Sequence, residues 1–330
     1  MDELPGLAGV AKVELHLHLD ISMSYRVAAQ LVPGLTWDDY ARRIQGPPRC
    51  ADLADFLSGT LVQVALLQSR HALDILTRDV VGQLAADGAV YAELRFAPLL
   101  HTEQGMAPED AAEAVVTAAG EAAAAHGIDI GVLLCTLRHF TAEQSVRTAQ
   151  LAVRYLGQGV VGFDLAGDEA GFPLATHLPA FAVATDAGMP YTVHAGEGRG
   201  PESVREVLDA LAPRRIGHGV RSAEDPELVE RLVAAGTHLE VCPSCNVQLQ
   251  VFPSLAEHSV DSLYRRGVSL GISTDSRTST PTTLTDEYAA LAATFGWQRD
   301  DLVAVNRMAA DAIFATGATH DRVRRLVTES

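Results

Sequence analysis

Lysine is almost missing from this chain. Lys12 is the only one among 330 residues, and 25 Lys and Arg face 42 Asp and Glu, for a formal net charge of −17. A surface this acidic repels phosphate backbones and anionic headgroups, so neither nucleic acid nor membrane partners are expected. A small neutral substrate is compatible with it. The lysine shortage also excludes a lysine-bridged pair of metal ions. Some two-metal enzymes use a carboxylated lysine as the bridge, but Lys12 opens the first predicted strand, far from its C-terminal end. Any metal site here is expected to hold one ion.

Cysteine is scarce too. Cys50, Cys135, Cys242 and Cys245 do not make a disulfide framework at this length. They read as buried small groups in a reduced compartment. No basic segment precedes an apolar run at the N-terminus, where Met1-Asp2-Glu3-Leu4-Pro5 is acidic, so no signal peptide is expected. No apolar run is long enough to span a bilayer. The expectation is a cytoplasmic, globular protein, with 48% hydrophobic and 20% charged residues. No Pro/Ser/Gly linker and no internal repeat interrupts it, so residues 1–330 are taken as a single domain. Its oligomeric state is not specified.

Eight short apolar runs recur between helix-like segments: 12–20, 89–96, 129–137, 160–166, 190–195, 215–220, 237–243 and 268–274. Near-continuous apolar character suits parallel strands buried on both faces. Eight such strands alternating with helices predict an α/β fold, a (β/α)8 TIM barrel. The alternative is a doubly wound open sheet, disfavoured as a dinucleotide binder because no glycine-rich fingerprint follows the first strand. Residues 21–87 are too long for a simple βα connection. There Leu53, Phe56 and Leu57 share one helical face, which predicts additional lid helices after strand 1, closing over a flat ligand.

The first strand reads Lys12-Val13-Glu14-Leu15-His16-Leu17-His18-Leu19-Asp20. Alternation along a strand turns His16 and His18 to one face, where two imidazoles can grip one ion. Barrel enzymes place their chemistry at C-terminal strand ends. Those ends offer His16, His18 and Asp20; Asp164 to Glu169; His194 and Glu197; His218; and Asp275 with Ser276. His16, His18, His194 and Asp275 form a plausible metal shell. Three imidazoles and a carboxylate favour Zn2+, with Fe2+, Co2+ and Mn2+ as alternatives. Glu197 is placed to move a proton, and His218 to take the water's proton or steady the nucleophile.

These motifs carry a resemblance. His16-Leu17-His18-Leu19-Asp20, Gly167-Asp168-Glu169, His194-Ala195-Gly196-Glu197, Gly217-His218-Gly219 and Ser273-Thr274-Asp275 occur in the order of the adenosine deaminase family. The segments Tyr91 to Pro98 and Glu240 to Pro243 also resemble family blocks. The likeness runs from about Lys12 to the end of the chain. It implies hydrolytic replacement of a purine amino group by oxygen, with release of ammonia. By that resemblance His16, His18, His194 and Asp275 hold zinc, and Glu197 protonates ring N1. His218 accepts the proton of the attacking water, the backbone N–H of Gly167 faces N3, and Asp20 touches the sugar. Leu53, Phe56 and Leu57 match a lid over the base, and Asp164 orients metal ligands from behind. The implied ligand is a small purine nucleoside.

The chain departs from the family pattern at Ser276, where a second carboxylate commonly binds purine N7. A hydroxyl can still donate there. Ile21 stands where a glycine is usual, and Thr60 where an aromatic closes the lid face. These changes bear on substrate contacts and leave two further readings open: a different or modified amino-heterocycle, and a non-catalytic nucleoside-binding relative. Cys242 and Cys245 have CxxC spacing without a second pair, which favours a structural role. His71, His101, His126, His139, His177, His238, His258 and His320 are expected at the surface or at helix caps.

Overall fold

The computed structural model describes residues 9–330. The acidic opening Met1–Pro5, and with it the signal-peptide expectation, lies outside the described residues. Among the described residues no helix is long and apolar enough to cross a membrane. Eight parallel strands run in chain order: β1 Lys12–His18, β2 Ala89–Phe96, β3 Asp129–Leu137, β4 Val160–Ala166, β5 His194–Ala195, β6 Arg215–His218, β7 His238–Val241 and β8 Leu270–Ile272. They pair sequentially as β1 to β4 and β5 to β8. Two seams close the cylinder. Leu17 bridges to Asp275, with His18 N donating to Asp275 O at 2.7 Å, and Phe163 bridges to Tyr191. The result is the (β/α)8 barrel the strand count predicts.

Three of the runs match their strands to the residue: 89–96, 129–137 and 160–166. The others are shorter than expected at their ends. The first run leaves the sheet at His18 and coils into a 3-10 turn over Leu19–Ile21. β6 ends at His218 (φ 60°) and the turn after β8 passes through Asp275 (φ 63°). A residue with a Cβ in the left-handed region turns the chain off the extended path of its strand. The apolar pattern extends past these points because burial continues where pairing stops.

Before the first ordinary barrel helix, Arg70–Ala86, come Tyr25–Leu31, Trp37–Arg43 and Leu53–Leu66. The last starts where Asp52 accepts from Asp55 N at 2.9 Å, a side-chain N-cap. Its apolar face lies over the C-terminal mouth of the barrel, so the lid expectation is met. All four cysteines are free and buried. Several histidines differ from expectation. His101, His177, His238 and His258 are buried, because each ring finds a hydrogen-bond partner within the fold.

Among the described residues, Glu287 is a buried acid with no ion-pair partner. It lies on the helix Leu284–Phe295 and is 1% exposed. Burial, with Glu14 nearby, pushes its carboxyl from 4.5 up to about 7. Between those values the unfolded carboxyl ionises while the folded one keeps its proton, so native stability is lost as pH rises through that window. Glu287→Gln removes this penalty. The variant is expected to be more stable than the parent at pH 8 by up to about 3 kcal/mol, with no gain at pH 4, as read by denaturant unfolding. An equal difference at both pH values contradicts this account.

Candidate metal centre and catalytic site

The strand ends bring the predicted ligands together. His16, His18 and His194 offer nitrogens within 4.8 Å of one another, and His16, His218 and Asp275 form a second such group. His18 Nε2 and His194 Nε2 face each other at 3.1 Å, and His18 Nε2 lies 3.8 Å from Asp275 Oδ1. Gly217 makes this crowding feasible. A Cβ there would meet the His16 ring at 3.0 Å and the His194 ring at 3.2 Å.

Each imidazole is aimed from behind. Glu240 Oε2 accepts from His16 Nδ1 at 2.9 Å, and Asp164 Oδ1 lies 3.3 Å from His194 Nδ1. Between these carboxylates sits Arg95, donating to Asp164 Oδ2 at 2.9 Å and to Glu240 Oε2 at 2.7 Å. Burial would raise both carboxyls. Against it, His194 and Arg95 hold Asp164 well below the usual carboxylate range, and Arg95 with Arg215 brings Glu240 down to about 2. Burial, reinforced by Arg95 and by the neighbouring imidazoles, drives His16 and His18 well below their ordinary value, so both rings are neutral with lone pairs available.

These residues fit a metal ion on one observation in particular. His16 Nε2 is buried and has no hydrogen-bond partner. With Nδ1 committed to Glu240, the free Nε2 points its lone pair into the cluster. An isolated buried acceptor is costly, and a cation resolves it.

Glu197 and His218 stand beside this cluster, with Glu197 Oε1 at 3.3 Å from His218 Nδ1 and His218 Nε2 at 3.8 Å from Asp275 Oδ2. Burial, followed by the charges of Asp275 and Glu169, pushes the Glu197 carboxyl well above its ordinary value. That shift favours the protonated acid. Burial drives His218 the other way, to the neutral ring. The loop carrying Glu197 is clamped by Glu169, whose carboxylate accepts from the backbone N–H of Gly196, Glu197, Gly198 and Arg199 at 2.7–3.1 Å. Gly196 turns that loop at φ 73°, and a Cβ on it would strike Val204 at 2.5 Å.

Above the cluster lies a cavity of ≈ 160 Å³. His18, His194, Glu197, His218 and Asp275 line its floor. The lid helix contributes Leu53, Phe56, Leu57, Thr60, Leu61 and Val64, and the walls include Asp20, Ile21, Gly167, Leu137 and His139. His139, expected to be an idle surface residue, is exposed but borders this cavity. Asp20 lines it while accepting from His101 Nε2 at 2.7 Å and Ala97 N at 3.0 Å.

Ser276 differs from expectation. Its Oγ donates to Ile21 O at 2.8 Å and accepts from the N–H groups of Thr278, Ser279 and Thr280. It is fully buried and does not line the cavity, because the turn after β8 needs its oxygen more than a ligand could. Sequence reasoning also missed residues of little charge. Asn246 donates to Glu197 Oε1 at 2.7 Å, and the Cys245 thiol reaches the Asp275 carboxyl. Glu240 and Arg95 fell in segments noted for their family likeness, but nothing in one strand reveals a partner on another.

The comparisons agree with this geometry. The family model described as adenosine deaminase matches residues 11–330. An adenosine deaminase of Lacticaseibacillus casei is 34% identical over 321 residues, covering 96% of this chain and 94% of that one. An adenine deaminase of Agrobacterium fabrum is 33% identical over 312 residues, with coverages of 94% and 96%. Among solved structures, the Arabidopsis N6-mAMP deaminase superposes with a TM-score of 0.89 at 27% identity, covering 99% of this chain and all of that one. With the family matched across the whole described barrel, the chain belongs to the adenosine deaminase family of hydrolytic deaminases.

Proposed function

We propose that this enzyme is a zinc-dependent hydrolase that replaces the 6-amino group of adenosine, or of a closely related 6-aminopurine nucleoside, by oxygen and releases ammonia. The observation that carries the reading is the convergence, under an apolar lid, of three imidazoles and a carboxylate with one protonated acid and one neutral imidazole. His16, His18, His194 and Asp275 would hold the ion. When bound, a divalent cation of this kind supplies a water acidic enough to attack at neutral pH.

The rest is done by the protein's own groups. Attack on an aromatic C6 costs ring stabilisation. Glu197 offsets part of that cost by passing its proton to N1, which makes C6 electrophilic. His218 faces the attacking oxygen and steadies it. Gly167 N–H faces N3, and Asp20 has lone pairs left for a sugar hydroxyl beyond those that His101 and Ala97 occupy. Leu53, Phe56 and Leu57 cover the base and keep bulk water out, which strengthens each polar contact beneath them.

Among the described residues, the cavity lining includes no arginine or lysine. A phosphate there would be desolvated without a counter-charge, which favours a nucleoside over a nucleotide. Ser276 favours one second reading. With its hydroxyl committed to backbone, it provides no donor for purine N7, so a different amino-heterocycle competes for the site.

Two outcomes test this reading. Zinc-loaded enzyme is expected to deaminate adenosine with a kcat/KM at least about tenfold above that for AMP, since an uncompensated charge costs more than about 1.4 kcal/mol. Absorbance and ammonia release measure it, and inactivity on every 6-aminopurine nucleoside rejects the substrate. Glu197→Gln is expected to lower kcat by about 10²–10⁴-fold with one equivalent of zinc retained. Chelation should abolish activity in the parent, and added zinc should restore it. Full activity of the Gln variant, or of the metal-free enzyme, overturns the mechanism.

A further inference from the structure

The exit of β7 carries little charge, yet it meets both proton-handling groups. The short helix Pro243–Gln248 presents Asn246, which is fully buried. Its orientation is set from outside the site. His258 Nδ1 accepts from Val260 N at 3.0 Å. A neutral ring bonded that way carries its hydrogen on Nε2, and burial lowers this imidazole to about 3, so the ring is neutral. Nε2 then donates to Asn246 Oδ1 at 3.2 Å. With its oxygen identified, the amide nitrogen must be the atom that faces Glu197 Oε1 at 2.7 Å and His218 Nδ1 at 3.2 Å.

An amide NH2 group only donates, so both of those atoms accept. We infer that Asn246, oriented by His258, is a positioning residue that puts the hydrogen of Glu197 on Oε2 and the hydrogen of His218 on Nε2. Oε2 is the Glu197 oxygen left free for the ring nitrogen. Nε2 is the His218 nitrogen on the Asp275 side, 3.8 Å from Oδ2. His218 therefore enters the reaction as a hydrogen-bond donor toward the attacking oxygen, rather than as the proton acceptor that the family resemblance implies. One carboxamide sets both directions at once. The rival arrangement is a direct bond from His218 Nδ1–H to Glu197 Oε1, whose separation of 3.3 Å also allows it.

The inference rests on the deaminase reading for its consequence, but its main test does not use turnover. In zinc-loaded enzyme labelled with 15N-histidine, the side chain of His218 is assigned by its disappearance in His218→Asn. Nitrogen shifts are expected to report hydrogen on Nε2 and none on Nδ1. In Asn246→Leu the hydrogen is expected to move to Nδ1, and kcat to fall by about 100-fold with KM within about threefold and zinc content unchanged. His258→Leu should lower kcat in the same direction, whereas His258→Gln, which keeps an N–H donor, should recover most of it. This pair carries the test if Asn246→Leu does not fold. Hydrogen on Nδ1 in the parent enzyme, or parental kcat in Asn246→Leu or His258→Leu, overturns the inference. Failure of the parent to deaminate any 6-aminopurine would defeat the proposed function while leaving the nitrogen shifts to decide the orientation.

Discussion

A guanidinium sealed inside the barrel underlies the whole site. Arg95 is fully buried, and removing such a charge from water costs several kcal/mol unless it is fully partnered. Its partners are Asp164 and Glu240, and those same carboxylates aim His194 and His16. Below them Arg215 pairs with Glu93 and Glu240 and lies over the Phe314 ring at 3.6 Å. Two guanidiniums thus face three carboxylates, leaving one excess negative charge beneath neutral imidazoles. The charge layer also locks the ring orientations before any ligand arrives, which is preorganisation of the kind catalysis needs.

Local backbone strain completes the arrangement. Four residues other than glycine adopt positive φ among the described residues, and His218 and Asp275 are two of them. Such conformations persist only where surrounding contacts over-determine them. Here the contacts are visible. Asp275 is held in the β1 seam through Asp275 N to His16 O at 2.9 Å, and Gly219 N bonds Ala195 O at 3.0 Å beside His218. Each turn swings a side chain off the strand face and over the mouth of the cylinder.

The lid and the floor divide the labour by polarity. The floor concentrates titratable groups with almost no access to water. The lid helix supplies only apolar and hydroxyl side chains to the cavity. Its register comes from local signals, an aspartate cap and helical spacing, while its position depends on packing with Cys50, Cys242, Cys245 and Leu249 beneath it. The CxxC pair is thus part of the apolar seat of the lid, and its second member also touches the Asp275 carboxyl.

Much of this could be read from the chain in advance, because the relevant physics is periodic or local. Strand alternation paired His16 with His18, near-continuous apolar runs marked buried parallel strands, and i, i+3, i+4 spacing marked the lid face. Such patterns are properties of consecutive residues. What only the tertiary structure decided depends on residues distant in sequence. Arg95 meets Glu240 across 145 positions, and Asn246 meets Glu197 across 49. Ser276 shows the same limit from the other side. Its hydroxyl was free to serve a ligand in the sequence, but the fold brings Ile21 O and three N–H groups to it first. A side chain's chemistry is written in the sequence, whereas which partner satisfies it is decided by closure of the barrel, since a buried polar atom bonds whatever the packing places within about 3 Å.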